Sequence, residues 1–560
     1  MATINMTQFN RRATNTPVTQ PLPGRTDMVP DSDGGFVWQV DDWANLDRFL
    51  ILGVEKGTYY IKEPELLKQK HGATVRCIKA DGVRAVKRIT EVSDKGLAYR
   101  NDPAIFALAL ALTHGDTAAK AAAAAALPKV CRIGTHLFHF AQYINALRGW
   151  GRAICRAASG WYTSREADQL AFQAIKYQQR DGWTHADILR LAHPKAASAA
   201  QDSVLRWMVG GMGVLGAREV KRKAKETVAK YPSRTRYLPE LIKAFEEAKT
   251  ASEKRVIELI VESNLPREAI PTQHLNSLAV WEALLQKMPL TALIRNLGKM
   301  TSIGLVKPLS AAAKLVRNRL TDAAYLRKSR IHPMAVLVAH RVYGQGRGIK
   351  GDLTWTPVPS ILADLDQAFY AAFPNVVPCG KPVLIALDVS GSMGSQIAGS
   401  VLRSCEATAA LSLIHLSVEP ECHVFGFAHQ FVELGIRKGM SLDDAMNRAL
   451  RSNFGSTDIS LAFQYALQNK LEVGGFICMT DGEVNCGRHP AQALREYRQK
   501  FVRDARSVFV ATCANDFTVN DPTDKFGLDV VGFDASAPPI IANFIRGDAA
   551  AKAEETVADE

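Results

Sequence analysis

The chain holds nine cysteines in 560 residues, an odd number, and no two of them stand in a C-x-x-C pair. That scatter argues against both a disulfide framework and structural zinc, so free and mostly buried thiols are expected. Long apolar runs are also missing. The best candidate, "AIFALALAL" (104–112), stops at Thr113 and His114, well short of the roughly 18 residues a membrane-spanning helix needs. The first 34 residues are rich in Thr, Asn, Pro and Asp and contain no apolar h-region. Residues 1–33 are therefore expected to form a disordered polar arm rather than a secretion signal, and the protein is expected to be cytoplasmic, with no membrane contact.

What is present describes a globular protein: 47% hydrophobic and 22% charged residues over a length that suggests roughly two to four domains. The charge is unevenly shared. Residues 1–380 carry 53 Lys and Arg against 33 Asp and Glu, a net of +20, whereas residues 381–560 carry 16 against 23, a net of −7. A basic part joined to an acidic one implies that the first meets a polyanion and the second does not.

From about residue 40 to 370 the pattern is helical. "PELIKAFEEAKTASEKRVIELIVESN" (239–264) and "LNSLAVWEALLQKMPLTALIRNLGKM" (275–300) repeat apolar residues at three and four spacing, with breaks at Pro266, Pro271, Pro289 and Pro308. Many short helices linked by Pro, Gly or Asn fit an α-solenoid of helical pairs, with a compact all-α domain as the alternative. After "FPNVVPCGKP" (373–382) the grammar changes. The runs "VLIALD" (383–388), "CHVFGFA" (422–428), "GFICMTD" (475–481), "SVFVATCA" (507–514) and "LDVVGFD" (528–534) alternate with helical stretches at 396–416, 458–469 and 490–505. That alternation predicts a doubly wound, mostly parallel α/β sheet. The expected division is an arm at 1–33, a helical domain at 34–372, an α/β domain at 373–548 and a loose acidic tail at 549–560.

The first predicted strand of that α/β domain runs into "DVSGS". Ligands in such sheets sit beyond the carboxyl ends of the strands, and one tight loop can turn Asp388, Ser390 and Ser392 toward a single point. Thr457 in "GSTD" (455–458) and Asp481 in "MTDGE" (479–483) can reach the same point. Five oxygen donors without sulfur or imidazole suit a hard divalent cation, Mg²⁺ before Ca²⁺ or Mn²⁺. With only two carboxylates in the set, the ion would still attract an outside carboxylate or phosphate oxygen. Capping of the following helix is the plainer alternative for these side chains, and Asp458 is a candidate cap. Glu483 is a nominal general base, but no nucleophile and base pair accompanies it, so a binding role without catalysis is expected.

Two basic stretches stand out. "REVKRKAKETVAKYPSRTR" (218–236) holds eight Lys and Arg against two Glu, including Lys221, Arg222, Lys223, Arg234 and Arg236. It reads as a weak amphipathic helix running into a turn, able to hold phosphates without reading sequence. In "AIKYQQRDGWTHADILRLAHPK" (174–195), Lys176 and Arg180 are four apart and would share a helix face. Asp181 and Gly182 would end that helix, and Thr184 with Asp187 would start the next. The turn would project Trp183 and His185 beside Arg190 and the other cations, giving charge, imidazole and aromatic faces suited to RNA. Tyr177 and Trp183 as core residues are the alternative.

Those residues carry a resemblance. "GGFVWQVDDWANLDRFLILGVEKGTYY" (34–60), "KYQQRDGWTHADILRLAHPK" (176–195), "VWEALLQKMPLTALIRNLGKMT" (280–301) and "IHPMAVLVAHRVYGQGRG" (331–348), followed by the D-x-S-x-S loop, resemble the Ro autoantigen, or TROVE, family of RNA-binding proteins in a bacterial form. The D-x-S-x-S loop with its later Thr and Asp resembles the metal-ion-dependent adhesion site of von Willebrand factor A domains. The resemblance runs from about residue 34 to 545. It implies a ring of HEAT-like repeats carrying a von Willebrand A domain, with Lys176, Arg180 and His185 as RNA contacts. It also implies small noncoding Y RNA and the single-stranded 3′ ends of misfolded or immature RNAs as partners. Polynucleotide phosphorylase, held through an RNA tether, is a further implied partner of what would be a monomer. An acidic protein captured through the metal site is the alternative from another class.

Overall fold

The structure, a computed structural model, describes residues 6, 9–10, 21–22, 25–30, 36–39, 42–52, 71–94, 101–216, 218–220, 229–231, 234–349, 352–389, 391–394, 401–450, 457–480, 486–511, 517–521, 523–524, 526–531 and 537–547. The strands in chain order are β1 (Met28–Pro30), β2 (Phe36–Gln39), β3 (Gln179–Arg180), β4 (Trp183–Thr184), β5 (Arg218–Val220), β6 (Ala229–Tyr231), β7 (Val383–Asp388), β8 (Cys422–Phe427), β9 (Phe431–Val432), β10 (Gly475–Thr480), β11 (Arg506–Ala511), β12 (Phe517–Thr518) and β13 (Gly527–Val531). The chain divides into two compact units, residues 62–312 and residues 1–61 with 313–560. That division places residues 313–372, read from sequence as the end of the helical domain, in the same unit as the α/β sheet.

The unit of residues 62–312 is helical. Helix Asp102–His114 packs against both Thr117–Val130 and Gly134–Leu147, and Thr117–Val130 in turn meets Gly82–Asp94 and Arg152–Thr163. Each of these two helices thus packs against helices two places along the chain, the neighbour pattern of stacked helical pairs. Helix Asp102–His114 is buried all round, from Pro103 to Leu112, which explains its apolar run without a membrane. No helix among the described residues is long and apolar enough to cross one.

The other unit is built on a six-stranded sheet in the order β13-β11-β10-β7-β8-β9, parallel except for the edge strand β9. All six residues of β7 and of β10 are buried, as expected of central parallel strands covered on both faces. The strand order reverses between β7 and β10, so the crevice beyond their carboxyl ends is the topological switch point.

The described residues of the N-terminal arm are not loose. Phe9 is fully buried in the sheet's core, with its ring edge-on to Phe431 and Tyr465 at 6.0 and 5.4 Å. The Asn10 side chain donates to the Phe431 carbonyl at 2.8 Å and accepts from the Phe431 N–H at 2.9 Å. Further on, β1, β2 and β12 form a small sheet, and Arg25 pairs with Asp521 at 2.7 Å. The polar composition concealed one aromatic that fills a core slot and one amide that satisfies the backbone of the edge strand β9. The acidic tail at 549–560 lies outside the described residues.

Candidate nucleic-acid interface and metal site

Residues 174–195 fold differently from the helix, turn and helix that their spacing suggests. Helix Ala167–Lys176 ends at Lys176, and β3 and β4 then form a two-residue hairpin in which Gln179 pairs with Thr184 and Arg180 with Trp183. Asp181 and Gly182 form its turn, with φ of 52° and 77°. Two consecutive positive φ values are what a tight hairpin turn needs, and Asp-Gly supplies them cheaply. Lys176 and Arg180 therefore do not share a helix face. The Asp-Gly dipeptide was the sequence signal for the hairpin. Helix His185–Ala192 starts as expected: Thr184 is its N-cap, and the Thr184 and Asp187 side chains form a reciprocal capping box.

The hairpin is held by part-buried polar contacts. Asp181 lies 2.5 Å from Nδ1 of His139, and Nε1 of Trp183 donates to Gln142 at 3.2 Å. Trp183 is half-buried, 5.6 Å from Trp150 between ring centres. His185 is not on the surface at all. It is buried between Phe138, at 4.7 Å, and the stacked ring of Trp161, at 6.0 Å, with Nδ1 2.9 Å from the Tyr162 hydroxyl. Burial pushes its pKa down to about 4, so near neutral pH it is an uncharged core group. The expectation that His185 touches RNA is corrected: the first residue of this helix points inward, and its imidazole packs among Phe138, Trp161 and Tyr162.

The accessible imidazole nearby is His193. It caps the same helix in a left-handed conformation, φ 44° and ψ 55°, and is exposed. The signal in sequence was Pro194, which prevents a helix from continuing and so places the helix end at His193. Arg180 has 52% of its side chain exposed, beside Asp181 at 3.6 Å. Arg190 has 60% exposed and sits 3.6 Å from Asp187. The Lys176 ammonium lies 5.2 Å from the ring of the exposed Phe172 and 5.6 Å from that of Tyr177. Exposed pairs of this kind are weak, so these cations remain open to exchange partners for phosphates.

In the second basic stretch, β5 pairs antiparallel with β6, where a helix was expected. A helix would have stacked like charges at three and four spacing. Lys221, Arg222 and Lys223 lie outside the described residues. Arg234 pairs with Asp202, which also holds Arg206 at 2.9 Å. Arg236 is exposed and stacks over Tyr237 at 4.6 Å.

In the other unit, the sheet brings part of the predicted metal set together. Asp388 is the last residue of β7 and 3% exposed, and its Oδ2 accepts from the Thr480 hydroxyl at the end of β10 at 3.0 Å. The Val389 N–H donates to Phe427 at 3.1 Å and the Asp458 N–H to Ala428 at 2.9 Å, so the end of β8 draws both the Asp388 segment and the Thr457 segment to one place. Thr457 is buried beside them. Asp458, also buried, accepts at Oδ1 from the Ser460 N–H at 3.0 Å, but the N-cap of helix Ser460–Gln468 is Ile459, so the cap expected at Asp458 is one residue off. Ser390, the side chain of Ser392, and Asp481 lie outside the described residues. The two described members, Asp388 and Thr457, offer oxygen at the switch point, the donor type that Mg²⁺ takes.

Comparison with known proteins gives concordant results. Residues 29–342 match the family model described as TROVE domain, and residues 382–545 match that described as Ro60 vWA domain. The chain is 40% identical over 544 residues to the RNA-binding protein RO60 of Deinococcus radiodurans, covering 96% of this chain and 99% of that one. It is 34% identical to the RNA-binding protein RO60 of Caenorhabditis elegans, covering 93% and 90%. The crystal structure of the Deinococcus radiodurans RO (RSR) protein superposes with a TM-score of 0.71 at 38% identity, over 91% of this chain and all of that one.

Proposed function

The chain belongs to the TROVE-domain family of Ro proteins, and from that premise we propose that it binds RNA through its helical unit, without cleaving it. The observation that carries this reading is the exposed Arg180 guanidinium on the Asp-Gly hairpin, with Lys176, Arg190 and His193 within eighteen residues of chain. Cations on short rigid elements neutralise phosphates, releasing counterions, while an exposed imidazole and the Phe172 ring offer hydrogen bonding and stacking. The RNAs we propose are small noncoding Y RNA and single-stranded 3′ ends of misfolded or immature RNAs. Scaffolding of polynucleotide phosphorylase through an RNA tether, by a monomer in the cytoplasm, belongs to the same reading.

We assign Mg²⁺, with Ca²⁺ or Mn²⁺ as substitutes, to Asp388, Ser390, Ser392, Thr457 and Asp481. An ion held there would supply an open coordination position for a carboxylate or phosphate oxygen from a partner. Asp388, fixed by Thr480, would orient it.

The test is a gel shift with a structured small RNA. Wild-type protein should bind with steep salt dependence, and the Lys176→Ala, Arg180→Ala double variant should bind markedly more weakly. Unchanged binding by that variant overturns the site assignment. The absence of copurifying RNA would favour capture of an acidic protein instead.

A further inference from the structure

At the end of the sheet opposite Asp388, the fold assembles a second donor cluster that no spacing in the sequence announces. Cys379 lies four residues before β7. His415 and Glu419 lie one turn apart at the end of helix Ser404–Val418, just before β8. The Cys379 thiol, an imidazole nitrogen of His415 and a carboxylate oxygen of Glu419 all lie within 4.8 Å of one another, and all three residues are buried. Nδ1 of His415 is 3.2 Å from Oε1 of Glu419, with both side chains 0% exposed. Two backbone donors clamp that carboxylate: the Cys379 N–H reaches Oε1 at 2.7 Å and the Gly380 N–H reaches Oε2 at 3.2 Å.

We propose that Cys379, His415 and Glu419 bind a Zn²⁺ ion that staples the segment leading into β7 to the end of helix Ser404–Val418. One sulfur, one imidazole nitrogen and one carboxylate oxygen are the three ligand types zinc takes, and the thiolate excludes Mg²⁺. The 3.2 Å between Nδ1 and Oε1 is a hydrogen bond in the metal-free protein. Around an ion about 2.0–2.2 Å from each atom it is close to the ligand–ligand edge of a tetrahedron. The N–H groups of Cys379 and Gly380 on Glu419 then serve as outer hydrogen bonds that orient a ligating carboxylate. Without a cation, burial and the Glu419 charge hold the Cys379 thiol protonated. Binding reverses this: the thiol proton leaves to solvent, the thiolate takes the ion, and His415 ligates as neutral imidazole, so at least one proton is released per ion. The site lies away from the Asp388 crevice, since β7 separates residue 383 from residue 388.

The test uses full-length protein stripped of metal and titrated with Co²⁺ and then Zn²⁺, each in excess Mg²⁺ so that the Asp388 site stays loaded. One equivalent of Co²⁺ should produce a thiolate-to-cobalt absorption in the near ultraviolet. Zn²⁺ should displace it and raise the melting temperature by several degrees beyond Mg²⁺ alone. The absorption should vanish in Cys379→Ser and persist in Asp388→Ala. Should Cys379→Ser fail to fold, His415→Gln, which can still hydrogen-bond Glu419, takes its place with the same expected loss. A wild-type protein without the absorption, or either variant retaining it, overturns the proposal.

Discussion

Nδ1 of His185 sits 2.9 Å from the hydroxyl of Tyr162, and both residues are buried in the helical unit. His185 is the first residue of helix His185–Ala192 and follows directly on β4, the second strand of the hairpin that presents Arg180. In the unfolded chain His185 takes up a proton near its ordinary pKa of 6.5; in the folded protein burial delays this to about 4. Stability from this group is therefore complete above about pH 6.5 and lost as pH falls from there toward 4. The loss is on the order of 3 kcal/mol. Urea unfolding at pH 7.5 and pH 4.5 should show a larger drop for wild type than for His185→Phe. Equal drops would place the titration elsewhere.

The cations should separate by exposure. Arg180→Ala and Lys176→Ala should each lower the slope of log affinity against log salt by about 1 and weaken RNA binding with little loss of stability. His193→Ala should weaken binding at constant melting temperature. His185→Ala should lower the melting temperature as well, since it removes a core ring. Filter binding across a salt series, paired with thermal melts, distinguishes the two histidines.

Among the described residues of the N-terminal arm, Phe9 is the most deeply placed. Phe9→Ala should destabilise the sheet-bearing unit by about 3–5 kcal/mol, and Asn10→Ala by about 1 kcal/mol through the two lost hydrogen bonds to Phe431. Removal of residues 1–33 should do at least as much. Chemical denaturation followed by tryptophan-independent circular dichroism measures this. Unchanged stability on truncation would show that the arm contributes nothing to the core.

At the switch point, Asp388→Ala should abolish the stabilisation produced by Mg²⁺ while leaving RNA affinity within about twofold. The second expectation follows because Asp388 and Lys176 belong to different compact units. Thr480→Val, which removes the hydroxyl donated to Asp388, should weaken Mg²⁺ binding without eliminating it. Calorimetric melts with and without Mg²⁺ test both. Joint loss of metal and RNA binding in Asp388→Ala would mean that the two sites are coupled.

Much of the α/β domain was legible because its signal is local. "VLIALD" and "GFICMT" are apolar on both faces, which only a covered central strand can bury, and they appear at Val383–Asp388 and Gly475–Thr480. The antiparallel edge β9 escaped notice, being two residues whose pairing with Gly426 and Phe427 depends on where the chain turns back. In the helical unit, the Thr184 box marked a helix start and Pro289 a break between helices, because caps and breaks are chemistry within one turn. The placement of Lys176 and Arg180 on one helix failed because the Asp-Gly hairpin, closed by cross-strand bonds and by Asp181 on His139, outweighed helical spacing.

Composition and pattern alone determined that a basic helical region precedes an acidic α/β region, and that Asp388 ends a strand where ligands collect. Both follow from interactions between near neighbours in sequence. Which histidine faces solvent, whether the N-terminal aromatic is buried, and that Cys379 meets His415 and Glu419 were decided only by the tertiary structure. Those contacts join residues from 23 to more than 400 positions apart, and burial, which gives each group its chemistry, exists only once the chain has closed on itself.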